Sequence, residues 1–276
     1  RRGTSEAAWL APVASSLQRC CANRRPCAAW PPLRASKRRR SRCAAPTPSA
    51  STSRAARARD CTPFCTSPPL QDSTLISEEG IDVLAAHCGA GEAVAAWTAK
   101  AMGGGVKFED ALAARLALIE PSRADVEACL AAHPPQVTPG AEALCAALAA
   151  RGTLVYVVSG GFRCMIEPTA LSSFGVPSDR VFANHILWDE AGNYAGFDEA
   201  EPTSRDGGKP KVVGMLKAAG AKTVVMVGDG ATDAQAKPPA DAFLGFGGVA
   251  VRDVVRDSAD WFVTDFADVV AALDAP

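Results

Sequence analysis

The sequence predicts an α/β protein whose parallel sheet carries helices on both faces and is interrupted by a helical insertion. Two observations predict this fold class. After residue 152, short β-branched runs alternate with helical stretches, and this alternation is typical of successive βα units in a parallel sheet. Residues 77–135 instead contain a succession of short helical patterns without a strand pattern, so they are expected to form an all-helical insertion.

The beginning of the chain differs from the rest in charge. The 276-residue chain has a net charge of −1, yet residues 1–60 contain 14 Lys/Arg and 2 Asp/Glu, whereas residues 61–276 contain 15 and 28. An Arg- and Ser-rich, acid-poor leader is typical of an organelle transit peptide, so residues 1–70 are predicted to be a disordered basic leader. The basic run at 37–40 alternatively indicates nuclear targeting or nucleic-acid binding. A third interpretation is that part of this stretch is mistranslated.

Apolar spacing and capping residues predict the helices of the insertion and the one after it. The stretch 108–119 repeats apolar residues every three or four positions, as an amphipathic helix does. Ser122 with Asp125 three residues later is a typical N-cap signal, and Thr138 before Pro139 is another. Helices are therefore predicted over residues 78–87, 92–102, 108–119, 124–133 and 138–150.

Strands and helices alternate over the remainder of the chain. Four apolar residues at 224–227 predict a buried strand. Residues 185–189 and 193–197 flank a short turn sequence and predict a hairpin. Further strands are predicted over residues 154–158, 180–183, 242–245 and 261–264, and helices over residues 162–174, 207–217, 250–257 and 266–273.

Two carboxylates follow the predicted strand at 224–227. Asp229 stands directly after Gly228, and Asp233 follows four residues later. Ligands of open α/β sheets bind outside the carboxyl ends of the strands. Carboxylate oxygens suit a hard cation such as Mg²⁺. The pair predicts a metal site, although a simple turn with solvated aspartates is also compatible with this short stretch.

Two further strand or helix ends carry groups that suit a phosphate. The 159–161 sequence, Ser-Gly-Gly, follows a predicted strand and offers a hydroxyl and backbone N–H groups to an anion. Lys209 follows two glycines at a predicted helix start. Each feature alone is also typical of an ordinary turn or a solvated lysine. Together with the carboxylate pair they predict a phosphoryl-transfer site at one sheet edge.

From Asp72 to about Leu273, the chain resembles the phosphoserine phosphatases of the haloacid dehalogenase superfamily. The resemblance extends in register over roughly 200 residues and is therefore far more specific than a single motif. It is carried by Asp72-Ser73-Thr74, Glu78 to Asp82, Ala101 to Gly104, Leu116 to Ile119, Val158 to Phe162, Phe182 to Asn184, Ala195 to Asp198, Gly207-Gly208-Lys209, Gly228 to Asp233 and Pro238 to Phe243.

The resemblance implies a fold, a reaction and a cofactor. The fold is a Rossmann-like core over residues 71–76 and 136–276, with a helical-bundle cap over residues 77–135. The reaction is hydrolysis of O-phospho-L-serine to L-serine and phosphate, with Mg²⁺ and an aspartyl-phosphate intermediate. The expected partner is this small-molecule substrate, with no nucleic acid or membrane, and the expected state is a monomer or homodimer.

The resemblance also implies the roles of individual residues. Asp72 is implied as the general acid/base that protonates the leaving serine oxygen, and Lys209 as the cation that neutralises phosphate and nucleophile. Mg²⁺ is implied at Asp72, Asp229 and Asp233. Substrate-binding residues are implied at Glu79, Met102, Gly103, Arg115, Ser159, Gly160, Gly161 and Thr232.

Position 70 departs from the family pattern. The family's nucleophilic aspartate stands two residues before the general acid, but Leu70 stands two residues before Asp72, and leucine can neither attack phosphorus nor bind Mg²⁺. Pro63, Pro68 and Pro69 further predict that no central strand precedes Asp72, because proline cannot donate to a strand ladder. The chain as written is therefore expected to turn over little or no phosphoserine.

Leu70 has two explanations. A wrong exon junction or reading frame just before Asp72 is favoured, because all later motifs are intact. The other explanation is a non-catalytic relative that binds phosphate or phosphoserine, and a phosphatase for another small phosphomonoester is a further alternative. If the leader is genuine, the expected compartment is the chloroplast stroma, because this route of serine synthesis is plastidic in photosynthetic eukaryotes; otherwise it is the cytoplasm.

Overall fold

The computed structural model describes residues 63–66, 74–102 and 106–275, in which a parallel sheet forms the core. The strands in this range are β1 (Pro63–Thr66), β2 (Leu154–Phe162), β3 (Val181–Asn184), β4 (Ile186–Trp188), β5 (Tyr194–Phe197), β6 (Val225–Gly228), β7 (Ala242–Phe246) and β8 (Trp261–Val263). Six of them form a parallel sheet in the order β3-β2-β1-β6-β7-β8, and β4 and β5 form an antiparallel hairpin. The predicted α/β class and hairpin are confirmed.

The helices of the described residues lie between these strands. They are α1 (Gly80–His87), α2 (Gly91–Met102), α3 (Phe108–Ile119), α4 (Arg123–Ala132), α5 (Ala141–Ala150), α6 (Arg163–Phe174), α7 (Gly208–Ala218), α8 (Ala231–Ala234), α9 (Asp253–Ser258) and α10 (Phe266–Asp274). None of them combines the length and the apolar character that crossing a bilayer would take, among the residues described.

Strand β1 lies at the centre of the sheet, where no strand was expected. It pairs in parallel with β2 on one side and with β6 on the other. The prediction that prolines exclude a strand here is therefore wrong, and the core begins within the stretch assigned to the leader. Pro63 is the first residue of the strand, the position at which a missing N–H is tolerated. Pro68 and Pro69 lie outside the described residues.

The register of the central strands brings two predicted site residues to one edge. Thr66 pairs with Val157 of β2 and with Val227 of β6. Ser159 and Asp229 therefore each follow the same row of residues by two positions. Because β1 lies between their strands, the two residues are separated across the sheet by two strand spacings, about 10 Å.

Both faces of the sheet are covered by helices, which explains the continuous apolar run at 224–227. Val225 and Val227 pack under α5, α6 and α10 on one face. Val224 and Met226 pack under α7 and α9 on the other. Successive strand residues point to opposite faces, so a strand buried on both faces is apolar throughout rather than alternating.

Helices α1 to α4, called here the helical segment, form a separate apolar cluster. This cluster includes Leu84, Leu112 and Leu116 and reaches Phe162 at the end of β2 and Ile186 of the hairpin. The helical segment therefore lies against the carboxyl end of β2. At the start of α4, the predicted N-cap is confirmed by reciprocal hydrogen bonds between Ser122 and Asp125, of 2.9 and 3.1 Å.

Helix α5 begins later than its sequence signal predicted. Its N-cap is Gly140, whose φ of 80° favours glycine, and the first helical residue is Ala141. Thr138 is not the N-cap; its backbone N–H donates to the carbonyl oxygen of Leu75 at 2.9 Å. The chain before α5 is thus tied to the segment that precedes the helical segment, and the helix starts two residues later than its sequence signal predicts.

Candidate active site

The carboxyl ends of β2 and β6 and the amino end of α7 surround one cleft. Gly160 of β2, Lys209 of α7 and Thr232 of α8 line it, and Phe108 of α3 covers one side. Its cavity volume is about 30 Å³, more than the roughly 10–15 Å³ that one water molecule needs. Residues that the sequence analysis took from three separate stretches therefore meet in one place.

Asp229 is a fully buried carboxylate at the end of β6. Thr74 donates its hydroxyl to Oδ1 at 2.8 Å. Arg252 donates from Nη1 to the carbonyl oxygen of Asp229 at 2.7 Å and also pairs with Oδ2. Because a buried charge is costly unless it is paired and hydrogen-bonded, these two partners fix the carboxylate at the sheet edge.

Asp233, in the short helix α8, is also fully buried. Lys209 donates from Nζ to Oδ1 at 2.8 Å, and the backbone N–H of Gly230 donates to Oδ2 at 3.1 Å. Burial raises the pKa of Asp233 to about 6, against the opposing effect of Lys209 and with a smaller raising effect from Asp229. The carboxyl group is therefore ionised near neutral pH and held by a buried cation.

Gly228 makes room for this carboxylate. A Cβ atom built on Gly228 would lie 2.1 Å from Cγ of Asp233, well inside contact distance. The carboxyl group of Asp233 therefore folds back onto the end of β6 only because the last strand residue has no side chain.

The 159–161 sequence lies near the end of β2, directly before a helix. β2 continues with an irregular register to Phe162, and the helix predicted from residue 162 begins at Arg163. The backbone N–H of Gly161 donates to Oγ of Ser159 at 2.8 Å. Such a bulge re-aims backbone and side chains at a strand end, and it leaves Gly160 at the cleft, beside the buried Ser159.

A buried hydrogen-bond chain holds this bulge. Asn184, the last residue of β3, donates from Nδ2 to the carbonyl oxygen of Gly160 at 2.7 Å. Thr203 donates its hydroxyl to Oδ1 of Asn184 at 2.9 Å. Asn184 has no exposed surface and Thr203 is 4% exposed, so both polar groups depend on each other for satisfaction.

Replacing Asn184 with alanine is expected to lower the free energy of unfolding by about 1–3 kcal/mol, because the carbonyl of Gly160 and the hydroxyl of Thr203 lose their buried partner. Urea denaturation followed by circular dichroism measures the loss. Asn193→Ala is the matched control, since Asn193 is an exposed hairpin residue and its loss should cost no more than about 0.5 kcal/mol. Equal losses in the two variants would contradict the assignment.

Arg115 of α3 is fully buried although its guanidinium is charged. Its Nε donates to the carbonyl oxygen of Ala111 at 3.1 Å, while Nη1 and Nη2 have no hydrogen-bond partner among the described residues. Burial lowers the pKa of Arg115, and the neighbouring carboxyl groups of Glu79 and Asp82 oppose this shift. Two buried donor nitrogens without an acceptor suit an anionic ligand such as a carboxylate.

The helical segment touches the cleft through the first turn of α3. A Cβ atom built on Gly160 would lie 3.0 Å from Cζ of Phe108. Glu109 accepts at Oε2 from the backbone N–H of Asp206 at 3.3 Å. The same helix that carries Arg115 therefore closes over the end of β2.

Some predicted site positions are outside the described residues. Asp72 and Gly103 are among them, as is Leu70, and for Met102 the structure describes only its place at the end of α2. Thr74, which follows Asp72 by two residues, is described and contacts Asp229.

The described donor set fits a hard cation. Asp229 and Asp233 supply carboxylate oxygens at one buried point, and Mg²⁺ is commonly held by one or two carboxylates while it keeps several waters or phosphate oxygens. Within residues 63–66, 74–102 and 106–275, no group of three or more His, Cys, Asp or Glu residues could hold a metal ion. The pair is therefore a candidate metal site, and Asp72, the third residue expected to hold the ion, lies outside the described residues.

Sequence reasoning missed three residues that organise the site. Thr74, Arg252 and Asn184 contact Asp229 or Gly160 but were not among the predicted site residues. Asn184 is the last residue of β3, and Arg252 lies in the connection that follows β7. Because ligands of such sheets bind outside the carboxyl ends of the strands, both residues could have been considered as site residues. Thr74 belongs to the Asp72-Ser73-Thr74 motif, but nothing in the sequence indicates that its hydroxyl bonds to Asp229.

Residues 71–236 match the family of haloacid dehalogenase-like hydrolases. The phosphoserine phosphatase of Bos taurus is 52% identical over 204 residues, which cover 74% of this chain and 90% of the bovine protein. The chloroplastic phosphoserine phosphatase of Arabidopsis thaliana is 50% identical over 206 residues, covering 74% and 70%. A solved structure of a phospho-aspartyl intermediate analogue of phosphoserine phosphatase matches with a TM-score of 0.63 and 26% identity, over 76% of this chain and 98% of that one.

Proposed function

We propose, from the premise that this chain belongs to the haloacid dehalogenase-like hydrolases and among them to the phosphoserine phosphatases, that its strand-end cleft binds O-phospho-L-serine and hydrolyses it to L-serine and phosphate. Membership makes the chain a phosphoric monoester hydrolase by class.

The buried guanidinium of Arg115 is the observation that supports phosphoserine as the substrate. Its Nη1 and Nη2 have no partner among the described residues, and a carboxylate can accept from both in a bidentate pair. Glu79 lies close enough to Arg115 to affect its pKa and suits the ammonium group of the same amino acid. A zwitterionic substrate with a phosphate ester offers a carboxylate to Arg115 and an ammonium group to Glu79.

The phosphate end of the substrate is assigned to the cleft. Lys209 supplies a buried positive charge, and Gly160 lines the same cleft. Thr232 contributes a buried hydroxyl without a hydrogen-bond partner among the described residues. Such preorganised donors stabilise the charge that develops on a transferring phosphoryl group.

Asp72 is proposed as the acid that protonates the leaving serine oxygen and later as the base that activates water. Asp72 stands two residues before Thr74 in the sequence, and the contact of Thr74 with Asp229 supports this proposal. The family pattern places the nucleophile at position 70, where this chain has Leu70. Formation of an aspartyl-phosphate is therefore proposed to be impaired in this chain, while substrate binding is retained.

Mg²⁺ is proposed as the cofactor, with Asp72, Asp229 and Asp233 as the residues that hold it. When bound, such an ion supplies positive charge that polarises a phosphoryl oxygen. Thr74 donates to Asp229 and Lys209 donates to Asp233, which positions the two described carboxylates.

Replacing Arg115 with methionine tests the substrate assignment by binding alone. We expect the affinity for phosphoserine to fall about 10- to 100-fold, because hydrogen bonds to a charged group are worth about 1.5–3 kcal/mol. Affinity for inorganic phosphate should stay unchanged. Isothermal titration calorimetry in Mg²⁺ measures both.

The control for this experiment is Arg123→Met, at an exposed arginine of the helical segment that stacks on Trp188. It should bind both ligands like the unmodified chain. A parallel loss of phosphate and phosphoserine affinity in Arg115→Met, or no loss of either, would refute the assignment of Arg115 to the substrate carboxylate.

A second candidate function is a non-catalytic phosphoserine-binding protein, favoured by Leu70 alone. Calorimetric binding without release of inorganic phosphate is the outcome that distinguishes it from an active phosphatase.

Residues 77–135 are proposed as the cap of the cleft and residues 71–76 and 136–276 as its core, now with β1 added. A monomer or homodimer is proposed, and the chloroplast stroma is the proposed compartment if the leader is genuine.

A further inference from the structure

Arg252 holds the buried carboxylate that is assigned to the metal. Its Nη1 contacts both the carbonyl oxygen and Oδ2 of Asp229. The side chain of Asp229 has no exposed surface, whereas that of Arg252 is 25% exposed. The contact therefore joins a fixed internal acid to a cation that reaches in from the surface.

The oxygens of Asp229 already have donors. Thr74 donates to Oδ1 and Arg252 to Oδ2. A carboxylate has about four lone-pair sites on its two oxygens, and Mg²⁺ demands near-ideal octahedral geometry. Thr74 and Arg252 use two of these sites, so a metal ion that takes an oxygen of Asp229 lies beside one of the two donors.

Charge makes Arg252 the donor that is displaced. Asp229 and Asp233 are buried acids, and in the part of the chain that the structure describes Lys209 and Arg252 are cations hydrogen-bonded to them. A divalent cation placed at the acids is repelled by a guanidinium at the same carboxylate, while the neutral hydroxyl of Thr74 is not a charge competitor. The side chain of Arg252 is 25% exposed, so it borders the solvent into which it would move on leaving the carboxylate.

We propose that Arg252 is an internal competitor of Mg²⁺: it neutralises Asp229 through a direct ion pair, and it must release Oδ2 when the metal binds. Arg252 thereby weakens the affinity for Mg²⁺ and stabilises the protein when the metal concentration is low. This inference rests on the proposed function only in assigning Mg²⁺ to Asp229. Neither substrate nor turnover enters it.

Titration of Mg²⁺ alone into the full chain and into Arg252→Gln tests the competition. We expect Arg252→Gln to bind Mg²⁺ about tenfold more tightly by calorimetry. We also expect its Tm without added Mg²⁺ to be lower than that of the unmodified chain, and its gain in Tm on addition of Mg²⁺ to be larger, because only the state with free Asp229 binds the ion. Arg252→Lys keeps the charge on a different geometry and should fall between the two.

Arg256→Gln is the matched control, because Arg256 lies one turn further along α9, is half exposed and pairs with Asp253. It should bind Mg²⁺ like the unmodified chain. Unchanged or weaker Mg²⁺ binding by Arg252→Gln, beside normal binding by the unmodified chain, would overturn the competition and leave the proposed function intact. Absence of Mg²⁺ binding by the unmodified chain would overturn the metal assignment itself.

Discussion

Replacing Leu70 with aspartate is expected to raise phosphate release from O-phospho-L-serine by about 1,000-fold or more over the chain as written. The substitution supplies the carboxylate that attacks phosphorus, and loss of a nucleophile from an otherwise intact site costs factors of about 10⁴–10⁶ in other enzymes. The remaining groups are present, because Lys209, Asp229 and Asp233 are buried and paired. A malachite-green assay in Mg²⁺ measures the rate.

Leu70→Asn is the control for this prediction, because asparagine matches aspartate in size but forms no stable phosphorylated intermediate. Phosphoserine affinity should be similar in both variants and in the unmodified chain. Rapid turnover by the unmodified chain would show that residue 70 is not the missing nucleophile. Equal rates in Leu70→Asp and Leu70→Asn would show that the defect lies elsewhere in the site.

Replacing Lys209 with methionine is expected to lower the free energy of unfolding by about 3–5 kcal/mol, because it leaves a buried carboxylate without its cation. The pair in question joins Nζ of Lys209 to Oδ1 of Asp233 at 2.8 Å, with side-chain exposures of 8% and 0%. The same variant should lose most affinity for inorganic phosphate. Urea denaturation and calorimetry measure the two effects.

Lys217→Met is the internal comparison, since Lys217 lies on the same helix and pairs with Asp241 at side-chain exposures of 24% and 42%. An exposed pair of this kind is worth about 0–1 kcal/mol. The double variant Lys209→Met/Asp233→Asn should recover part of the lost stability, because both charges are then removed. A loss in Lys209→Met no larger than in Lys217→Met would contradict the importance of burial.

Most of the fold could be predicted from the sequence, because period and capping are local properties. The strand at 224–227 and the capping box at Ser122 are set by residues a few positions apart, and both are confirmed. Strand β1 could not be predicted in this way. Its neighbours β2 and β6 each require a ladder partner, and this requirement outweighs the presence of Pro63 at the strand's first position.

The site also contains residues that the sequence predicts and residues that it does not. Asp229 follows a strand and Lys209 lies at a helix start, so their placement follows from the elements that carry them. The partners of Asp229 do not: Thr74 is 155 positions away in the chain, and Arg252 reaches the same carboxylate from a different strand connection. Such pairs depend on sheet register, which a single sequence does not display.

The absence of a side chain at Gly228 limits how this protein can vary. Since even one added carbon atom would collide with Asp233, the spacing between the end of β6 and the acid that pairs with Lys209 cannot be altered in small steps. Substitution of Gly228 by any larger residue is therefore expected to be selected against, although Gly228 carries no reactive group. A protein that lost this glycine would need a different backbone path between β6 and Asp233.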